Sequence, residues 1–211
     1  MAAIEPVAVA ILAKAPIPGF AKTRLIPVLG ADGAAALQAR LTARAVETAS
    51  AAGIGPVILW GAPDERHATF ATMRTRFGIA LASQPDGDLG ARMLAALAAT
   101  NGPALVIGTD CPALTSGHLG AAANVLRGGI DVVVFPAEDG GYALIGMRKP
   151  QPALFSAVAW STLGVMDETR RRLRQLGLTW QEPVTLWDVD VPEDLPRLHD
   201  IGWHDFFPAG H

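Results

Sequence analysis

Short apolar runs alternate along the chain with longer segments of helical periodicity. Residues 7–13 and 56–60 are continuously hydrophobic, which is typical of strands that are covered on both faces. Between them, residues 33–52 place Leu37 and Leu41 four positions apart, as on one face of a helix that ends at Gly53. The pattern then predicts strands at 79–82, 104–107 and 131–136, and helices at 64–77, 91–100, 116–126 and 165–176.

The order of these elements predicts the fold class. Strands that alternate with helices indicate an α/β fold, a three-layer α/β/α sandwich with a mostly parallel sheet. Residues 139–141 predict a turn into residues 142–147, a hairpin-like departure from strict alternation. After an extended stretch at 179–189, a last short helix is expected at 192–200. With 211 residues and no linker or repeat, residues 1–211 are expected to form a single domain.

Composition narrows the class of partner. Half of the residues are hydrophobic and the net charge is −3, so neither nucleic acid nor an acidic membrane is expected as a partner. The single cysteine, Cys111, rules out an internal disulfide and favours a cytoplasmic protein. No apolar stretch approaches the roughly 20 residues that cross a bilayer. The aromatic tail at 203–207 is expected to pack on the domain, with a homodimer contact as the alternative.

The strand at 104–107 ends in Gly108, Thr109 and Asp110, and Pro112 prevents its continuation. A carboxylate therefore stands at the carboxyl end of a buried strand, where open α/β sheets bind their ligands. The alternative for Asp110 is a purely local role in a turn or a helix cap.

A basic loop follows the first strand. Lys14, Lys22 and Arg24 could offset the charge of a diphosphate, and Gly19 would let backbone N–H groups approach it. The loop lacks the glycine signatures of the P-loop and of dinucleotide folds, and an ordinary solvated loop is the alternative. Further along, the amide of Gln84 could pair with a nucleobase edge, or it could simply belong to a surface turn.

A second acidic segment contains Asp188 and Asp190. Alternation along an extended chain predicts that only one of them shares a site with Asp110. Two carboxylates from separate strand ends would hold Mg²⁺ or Mn²⁺ and leave positions for phosphate oxygens. The segment from Asp139 through Gly140 and Gly141 to Tyr142 could contact the transferred group, although its glycines could simply serve the turn. Trp160 could line a pocket or merely pack.

Taken together, the motifs resemble the DUF2064 family of glycosyltransferase-A-type, or nucleotide-diphospho-sugar transferase-like, proteins. Some members of that family are associated with radical-SAM and selenoprotein clusters or with arsenosugar biosynthesis. The resemblance runs from about residue 7 to about residue 198 and is carried by segments 13–25, 84–93, 108–114, 136–142 and 188–195.

The resemblance implies which residues bind which part of the substrates. Lys14, Lys22 and Arg24 would face the phosphates of the nucleotide, and Gln84 and Gly90 would lie at its nucleobase. A metal ion, Mg²⁺ or Mn²⁺, would be held by Asp110 and Asp190, with Asp188 as a substitute for Asp190.

Two reactions remain open from the sequence. The first is metal-dependent glycosyl transfer from a nucleotide-diphospho-sugar to a small-molecule acceptor, with Asp139 orienting the sugar or acting as base. The second is nucleotidyl transfer from an NTP to a phosphorylated small molecule, with Lys14 and Lys22 stabilising the transition state. Residues 21–25 are similar to the Ala-Lys-Ser-Arg-Leu segment of phospholactate guanylyltransferases, which supports the second. A third, less favoured interpretation is a non-catalytic nucleotide-binding protein.

Overall fold

The computed structural model describes residues 4–204, in which a seven-stranded sheet carries helices on both faces. The strands are β1 (Ala8–Lys14), β2 (Val57–Ala62), β3 (Ala80–Ser83), β4 (Ala104–Ile107), β5 (Val132–Pro136), β6 (Tyr142–Met147) and β7 (Trp180–Gln181). The α-helices are α1 (Ile26–Ala52), α2 (Ala68–Phe77), α3 (Leu89–Ala98), α4 (Ser116–Arg127), α5 (Pro152–Phe155) and α6 (Val165–Gln175). Two 3₁₀ segments, Thr23–Leu25 and Pro192–Ile201, complete the described elements.

The sheet order is β3-β2-β1-β4-β6-β5-β7. Every pairing is parallel except those of β6, which runs antiparallel to β4 and β5. The turn predicted between β5 and β6 is confirmed: Gly140 has a φ of 86°, and Asp139 Oδ1 accepts a hydrogen bond from the Gly141 N–H at 2.8 Å. Because β6 is reversed, its first residue lies at the same edge of the sheet as the last residues of β1 and β4.

Two apolar cores separate three layers. On one face, side chains of β1 and β4 pack against α1, α2 and α4, through residues such as Val46, Phe70 and Leu119. On the other face, alternate side chains of the same strands pack against α3, α5 and α6. The predicted three-layer sandwich with a mostly parallel sheet is thereby confirmed.

Helix α1 begins earlier than its periodicity predicts. It starts at Ile26 rather than at residue 33 and is interrupted at Gly30, whose φ of 71° and ψ of 168° are not helical. Pro27 lies in the first turn, where a missing N–H costs no hydrogen bond, so this proline is compatible with the start of the helix. Gly53 ends α1 in the left-handed conformation, as predicted.

The carboxyl-terminal part is less regular than expected. Of the predicted extended stretch, only Trp180–Gln181 forms a strand, and Leu186 adds one isolated bridge to Ala137. The last helix is 3₁₀, with Pro196 inside it, and the short helix α5 had no counterpart in the sequence pattern.

The aromatic tail is described in part. The side chain of Trp203 packs back on the domain beside Leu25 and Leu37, and the Arg40 guanidinium lies 4.4 Å from its ring. Residues 205–207 of the predicted tail lie outside the described residues. Among residues 4–204, no helix combines the length and the apolar character needed to span a bilayer.

Candidate active site

A cavity of about 640 Å³ opens at the carboxyl edge of the sheet. It collects most of the side chains that the sequence singled out, although they come from six separate segments of the chain. The predicted residues that line it are Lys14, Lys22, Arg24, Gln84, Asp110, Asp139, Gly141, Tyr142, Trp160, Asp188 and Asp190. Gly19, Gly90 and Gly140 do not line it.

Strand β4 delivers Asp110 to this cavity. Its four residues are fully buried, and the chain leaves the sheet through Gly108 and Thr109. Helix α4 is capped by Thr115 instead, whose hydroxyl accepts from the His118 N–H at 3.2 Å, so Asp110 is not a helix cap. The Asp110 carbonyl accepts a hydrogen bond from the Val189 N–H at 2.8 Å, and this bond brings the second acidic segment to the end of β4.

The ammonium of Lys22 joins the two carboxylates that were predicted to meet. Its Nζ lies 2.6 Å from Asp110 Oδ1 and 2.9 Å from Asp190 Oδ1, and it also donates to the Val189 carbonyl. The Lys22 side chain is only 4% exposed, whereas those of Asp110 and Asp190 are 47% and 38% exposed. The resemblance implied that Lys22 faces the phosphates of a nucleotide; in this structure its Nζ lies within hydrogen-bond distance of three protein oxygens.

The backbone and the charges hold Lys22 in this position. It adopts a left-handed conformation with a φ of 50°, unusual for a residue with a side chain, and its carbonyl accepts the Leu25 N–H of the 3₁₀ turn. Burial alone would lower the pKa of Lys22, but the charges of Asp110 and Asp190 outweigh it, so that the pKa is raised. Lys22 therefore remains a cation at neutral pH.

Asp188 and Asp190 both line the cavity, so the prediction that only one of them would do so is wrong. The segment that contains them is not a regular strand, and strict alternation of side chains does not apply to it. Burial first, and then the negative charges of Asp139 and Asp190, raise the pKa of Asp188 to about 7. The cavity is thus lined by five carboxylates, because Asp139 of the β5–β6 turn and Asp88, which precedes α3, also line it.

The carboxylates at this edge are suited to a hard divalent cation. Within residues 4–204, no group of three or more His, Cys, Asp or Glu side chains is arranged to hold a metal. Mg²⁺, however, commonly takes one or two protein carboxylates and completes its shell with water and substrate phosphates. The contacts to Lys22 use Oδ1 of Asp110 and Asp190, and Oδ2 of Asp190 lies 3.7 Å from Arg24 Nη1. The two Oδ2 atoms are the remaining donors for a cation.

Behind Asp110 lies a buried polar contact that sequence reasoning missed. Gln38 of α1 donates from Nε2 to the Thr109 hydroxyl at 3.0 Å, and the same hydroxyl lies 3.3 Å from Asp110 Oδ1. Gln38 is 2% exposed, although it occupies the middle of an otherwise alanine-rich helix. A glutamine on the apolar face of α1 was the only signal in the sequence that could have revealed this support.

Gln84 has a different environment from the one predicted. Its Nε2 donates to the carbonyls of Ala13 and Trp60, at 3.1 and 2.8 Å. The amide therefore fastens the ends of β1 and β2, and only its Oε1 is left to accept a hydrogen bond from a ligand.

The predicted glycines serve the backbone around the cavity. Gly19 has a φ of 81° in the turn of the basic loop, and no atom lies within 4 Å of the place that a Cβ would occupy there. A Cβ on Gly140 would lie 2.7 Å from the Leu163 carbonyl oxygen, and one on Gly90 would lie 2.6 Å from Cζ2 of Trp160. Gly90 thus allows α3 to approach Trp160 closely.

Part of the cavity wall is aromatic. The Trp160 ring stacks on Phe155, with centroids 6.4 Å apart, and meets Tyr142 edge-on at 6.1 Å. Burial raises the pKa of Tyr142 to about 12, so its hydroxyl stays protonated. Arg92 of α3 also lines the cavity, and its buried Nε has no hydrogen-bond partner among the described residues. No role for Arg92 was predicted from the sequence.

Residues 31–162, more than half of the chain, match the family described as "Uncharacterized protein conserved in bacteria (DUF2064)". The chain belongs to this family. The predicted family is therefore confirmed, whereas no curated protein matches the sequence.

Solved structures share the fold. One is a candidate nucleotide-diphospho-sugar transferase from Desulfovibrio desulfuricans G20, with a TM-score of 0.83 and 26% identity over 94% of this chain and 88% of that one. A nucleotidyl transferase from Methanothermobacter has a TM-score of 0.60 and 15% identity over 93% and 98%. Glucosyl-3-phosphoglycerate synthase from Mycobacterium tuberculosis, solved with Mn²⁺ and UDP, has a TM-score of 0.54 and 12% identity over 91% and 75%. The chain has the nucleotide-diphospho-sugar transferase type of fold.

Proposed function

We propose that this protein is a metal-dependent transferase that uses a nucleotide-diphospho-sugar and passes the sugar to a small-molecule acceptor. The observation that carries the proposal is the meeting of Asp110 and Asp190, eighty positions apart in the chain, inside one cavity at the carboxyl edge of the sheet. The fold shared with the Desulfovibrio protein and with the Mn²⁺- and UDP-bound synthase supports it.

Each wall of the cavity has a part in this reaction. Asp110 and Asp190 would hold Mg²⁺ or Mn²⁺, which would stabilise the negative charge of the departing diphosphate. Lys14 and Arg24, which line the same edge, supply further positive charge to the phosphates. Asp139 lies in the β5–β6 turn, where it can orient the sugar or accept the proton of the acceptor hydroxyl. Tyr142 and Trp160 offer an aromatic wall for the sugar or the acceptor.

Nucleotidyl transfer is the second candidate. The sequence of residues 21–25 supports it, and Lys14 and Arg24, which line the cavity, would neutralise an attacking phosphate and a pyrophosphate leaving group. The reaction would join an NTP to a phosphorylated small molecule and release pyrophosphate. The same cavity serves both reactions, so the products must distinguish them.

The experiment is a substrate panel. The protein is incubated with Mn²⁺ and each common NTP or nucleotide-diphospho-sugar, and its melting temperature and the released products are measured. Stabilisation by a nucleotide-diphospho-sugar with slow release of the nucleoside diphosphate is the expected result. Pyrophosphate released from an NTP would instead establish the second candidate, and tight binding without turnover would establish a non-catalytic nucleotide-binding protein.

Asp110→Asn provides the matched test of the metal site. It should remove the Mn²⁺-dependent rise in melting temperature while the variant remains folded, because Asp110 lies at a partly exposed rim. Asp32→Asn, which changes an exposed aspartate of α1, is the control and should behave as the wild type. Normal Mn²⁺-dependent binding and turnover by Asp110→Asn would refute the proposed metal site.

A further inference from the structure

We infer that Lys22 competes with the divalent cation for Asp110 and Asp190, so that the metal binds together with the nucleotide diphosphate rather than before it. The inference rests on the metal site proposed above. It adds an order of binding that neither the family nor the fold specifies.

The first step concerns the oxygen atoms that surround the Lys22 ammonium. An ammonium has three hydrogens, and Lys22 Nζ has three oxygen neighbours, Oδ1 of Asp110, Oδ1 of Asp190 and the Val189 carbonyl. The cation therefore stands between the two carboxylates that would hold the metal. No hydrogen is left on Lys22 for a phosphate unless one of these contacts breaks.

The second step is the balance of charge. Asp110 and Asp190 together carry two negative charges, and the positive charge of Lys22 reduces the net charge of these three groups to −1. A divalent cation approaching the free protein thus meets a weaker attraction, and it is repelled by an ammonium within 3 Å of both carboxylates. The nearly complete burial of Lys22 prevents water from screening this repulsion fully.

The third step is that Lys22 is fixed in place by its surroundings. Its left-handed backbone leads directly into the 3₁₀ turn Thr23–Leu25, and Leu25 is fully buried in a core shared with Val189. The cation cannot simply leave for solvent, as a lysine on a mobile surface loop could. A diphosphate changes the situation, because its negative charge offsets that of the ammonium and adds oxygen ligands for the metal.

These steps predict positive coupling between two ligands. In the wild type, Mn²⁺ alone should bind weakly, and a nucleoside diphosphate should strengthen its binding, with the reciprocal effect on the nucleotide. Removal of the Lys22 charge should strengthen the binding of Mn²⁺ alone and reduce the additional effect of the diphosphate.

The test measures free Mn²⁺ by electron paramagnetic resonance during titration of the protein, with and without GDP or UDP. Lys22→Met should bind Mn²⁺ alone at least about tenfold more tightly than the wild type. Lys22→Arg, which retains the charge, should remain weak. Lys149→Met removes the same charge from an exposed position that does not line the cavity, and should change the Mn²⁺ affinity by less than about threefold.

The outcomes separate this inference from the proposed function. Equal Mn²⁺ affinity in the wild type and in Lys22→Met would overturn the competition while leaving the metal site intact. If neither protein bound Mn²⁺, with or without a diphosphate, the metal site and the competition would both be refuted. Circular dichroism shows whether Lys22→Met is folded. If the variant is not folded, the wild type alone provides the test. A wild-type Mn²⁺ affinity that is the same with and without GDP or UDP would overturn the inference.

Discussion

Gly90 of α3 and Trp160 of the cavity wall are in such close contact that a Cβ on Gly90 would lie 2.6 Å from Cζ2 of the indole. The same Cβ would lie 2.8 Å from the backbone oxygen of Phe155, so a movement of the indole alone would not relieve the clash. Helix α3 can therefore pack against the wall only with glycine at this position.

We expect Gly90→Ala to destabilise the protein by about 1–3 kcal/mol, the usual cost of overpacking a core. Gly120→Ala is the matched control, since Gly120 also lies in a helix but has no atom within 4 Å of a Cβ position. Better helix propensity should stabilise that variant by up to about 1 kcal/mol. Urea unfolding measures both. Similar stability gains in the two variants would show that the α3–Trp160 contact yields easily.

The second prediction concerns the hydrogen bonds by which Gln84 connects the carboxyl ends of β1 and β2. Its Nε2 hydrogen bonds to the carbonyls of Ala13 and Trp60 should make it important for stability, whatever its contact with a ligand. Gln84→Glu places a carboxylate oxygen against two carbonyl oxygens, and we expect a loss of about 1–3 kcal/mol in urea unfolding.

Gln84→Met distinguishes repulsion from the loss of the two hydrogen bonds. It should cost less than Gln84→Glu, because it leaves the carbonyls unpaired but brings no like partial charge to them. If Gln84→Glu kept full stability and lost only nucleotide binding, Gln84 would contact the nucleobase, which is one of the two roles that the sequence left open.

Local patterns were sufficient to predict the framework of the fold. The run at 104–107 is the strand β4 to the residue, because a continuous apolar run bounded by Pro103 and Gly108 leaves little choice of boundary. The position of Asp110 at the sheet edge followed from that strand. Helix α1 was harder to predict, since Pro27 and the non-helical Gly30 obscure its first turns.

The sequence pattern could not predict contacts between segments that are distant in the chain. Nothing near Lys22 indicates that its ammonium meets a residue 168 positions away, because that contact depends on a left-handed backbone and on the Val189–Asp110 hydrogen bond. The error about Asp188 has the same origin, since alternation was applied to a segment that pairs with the end of a strand but is not itself a strand. The roles of these residues in metal binding and transfer remain predictions.

Glu168 gives a prediction for pH dependence. Hydrogen bonds from Arg171 and then Arg172 lower the pKa of Glu168 from 4.5 to about 2. A carboxyl group with a lowered pKa stabilises the folded state above its unfolded pKa, and this contribution disappears as the pH falls through the folded value. Between about pH 4.5 and pH 2, Glu168→Gln should therefore show a shallower loss of stability than the wild type.

Urea unfolding at a series of pH values measures this slope. Glu5→Gln changes an exposed glutamate that forms no ion pair within the described part of the chain, and it should leave the slope unchanged. Arg172 also donates to the carbonyls of Ala153 and Ser156, at 3.0 and 2.5 Å, so release of Glu168 should also loosen the segment before Trp160. If stability fell equally with pH in the wild type and in Glu168→Gln between about pH 4.5 and pH 2, these partly exposed ion pairs would contribute nothing measurable to stability.

The last prediction concerns Thr109, which connects a buried glutamine to the metal-site carboxylate. Its hydroxyl accepts from Gln38 Nε2 at 3.0 Å and lies 3.3 Å from Asp110 Oδ1, so it can orient Asp110 only while the hydroxyl is present. Thr109→Val keeps the shape of the side chain and removes the hydroxyl. We expect a loss of about 1–3 kcal/mol in urea unfolding, because Gln38 would lose one acceptor in a buried site.

Mn²⁺ affinity in the presence of a diphosphate should fall in Thr109→Val as well, since Asp110 would lose a fixed partner, and calorimetric titration measures it. Thr109→Ser is the matched control, because it keeps the hydroxyl and removes only a methyl group. It should retain Mn²⁺ affinity close to that of the wild type. If Thr109→Val lost stability but bound Mn²⁺ normally, the contact with Gln38 would be structural only, and the orientation of Asp110 would depend on Lys22 and on the Val189 hydrogen bond.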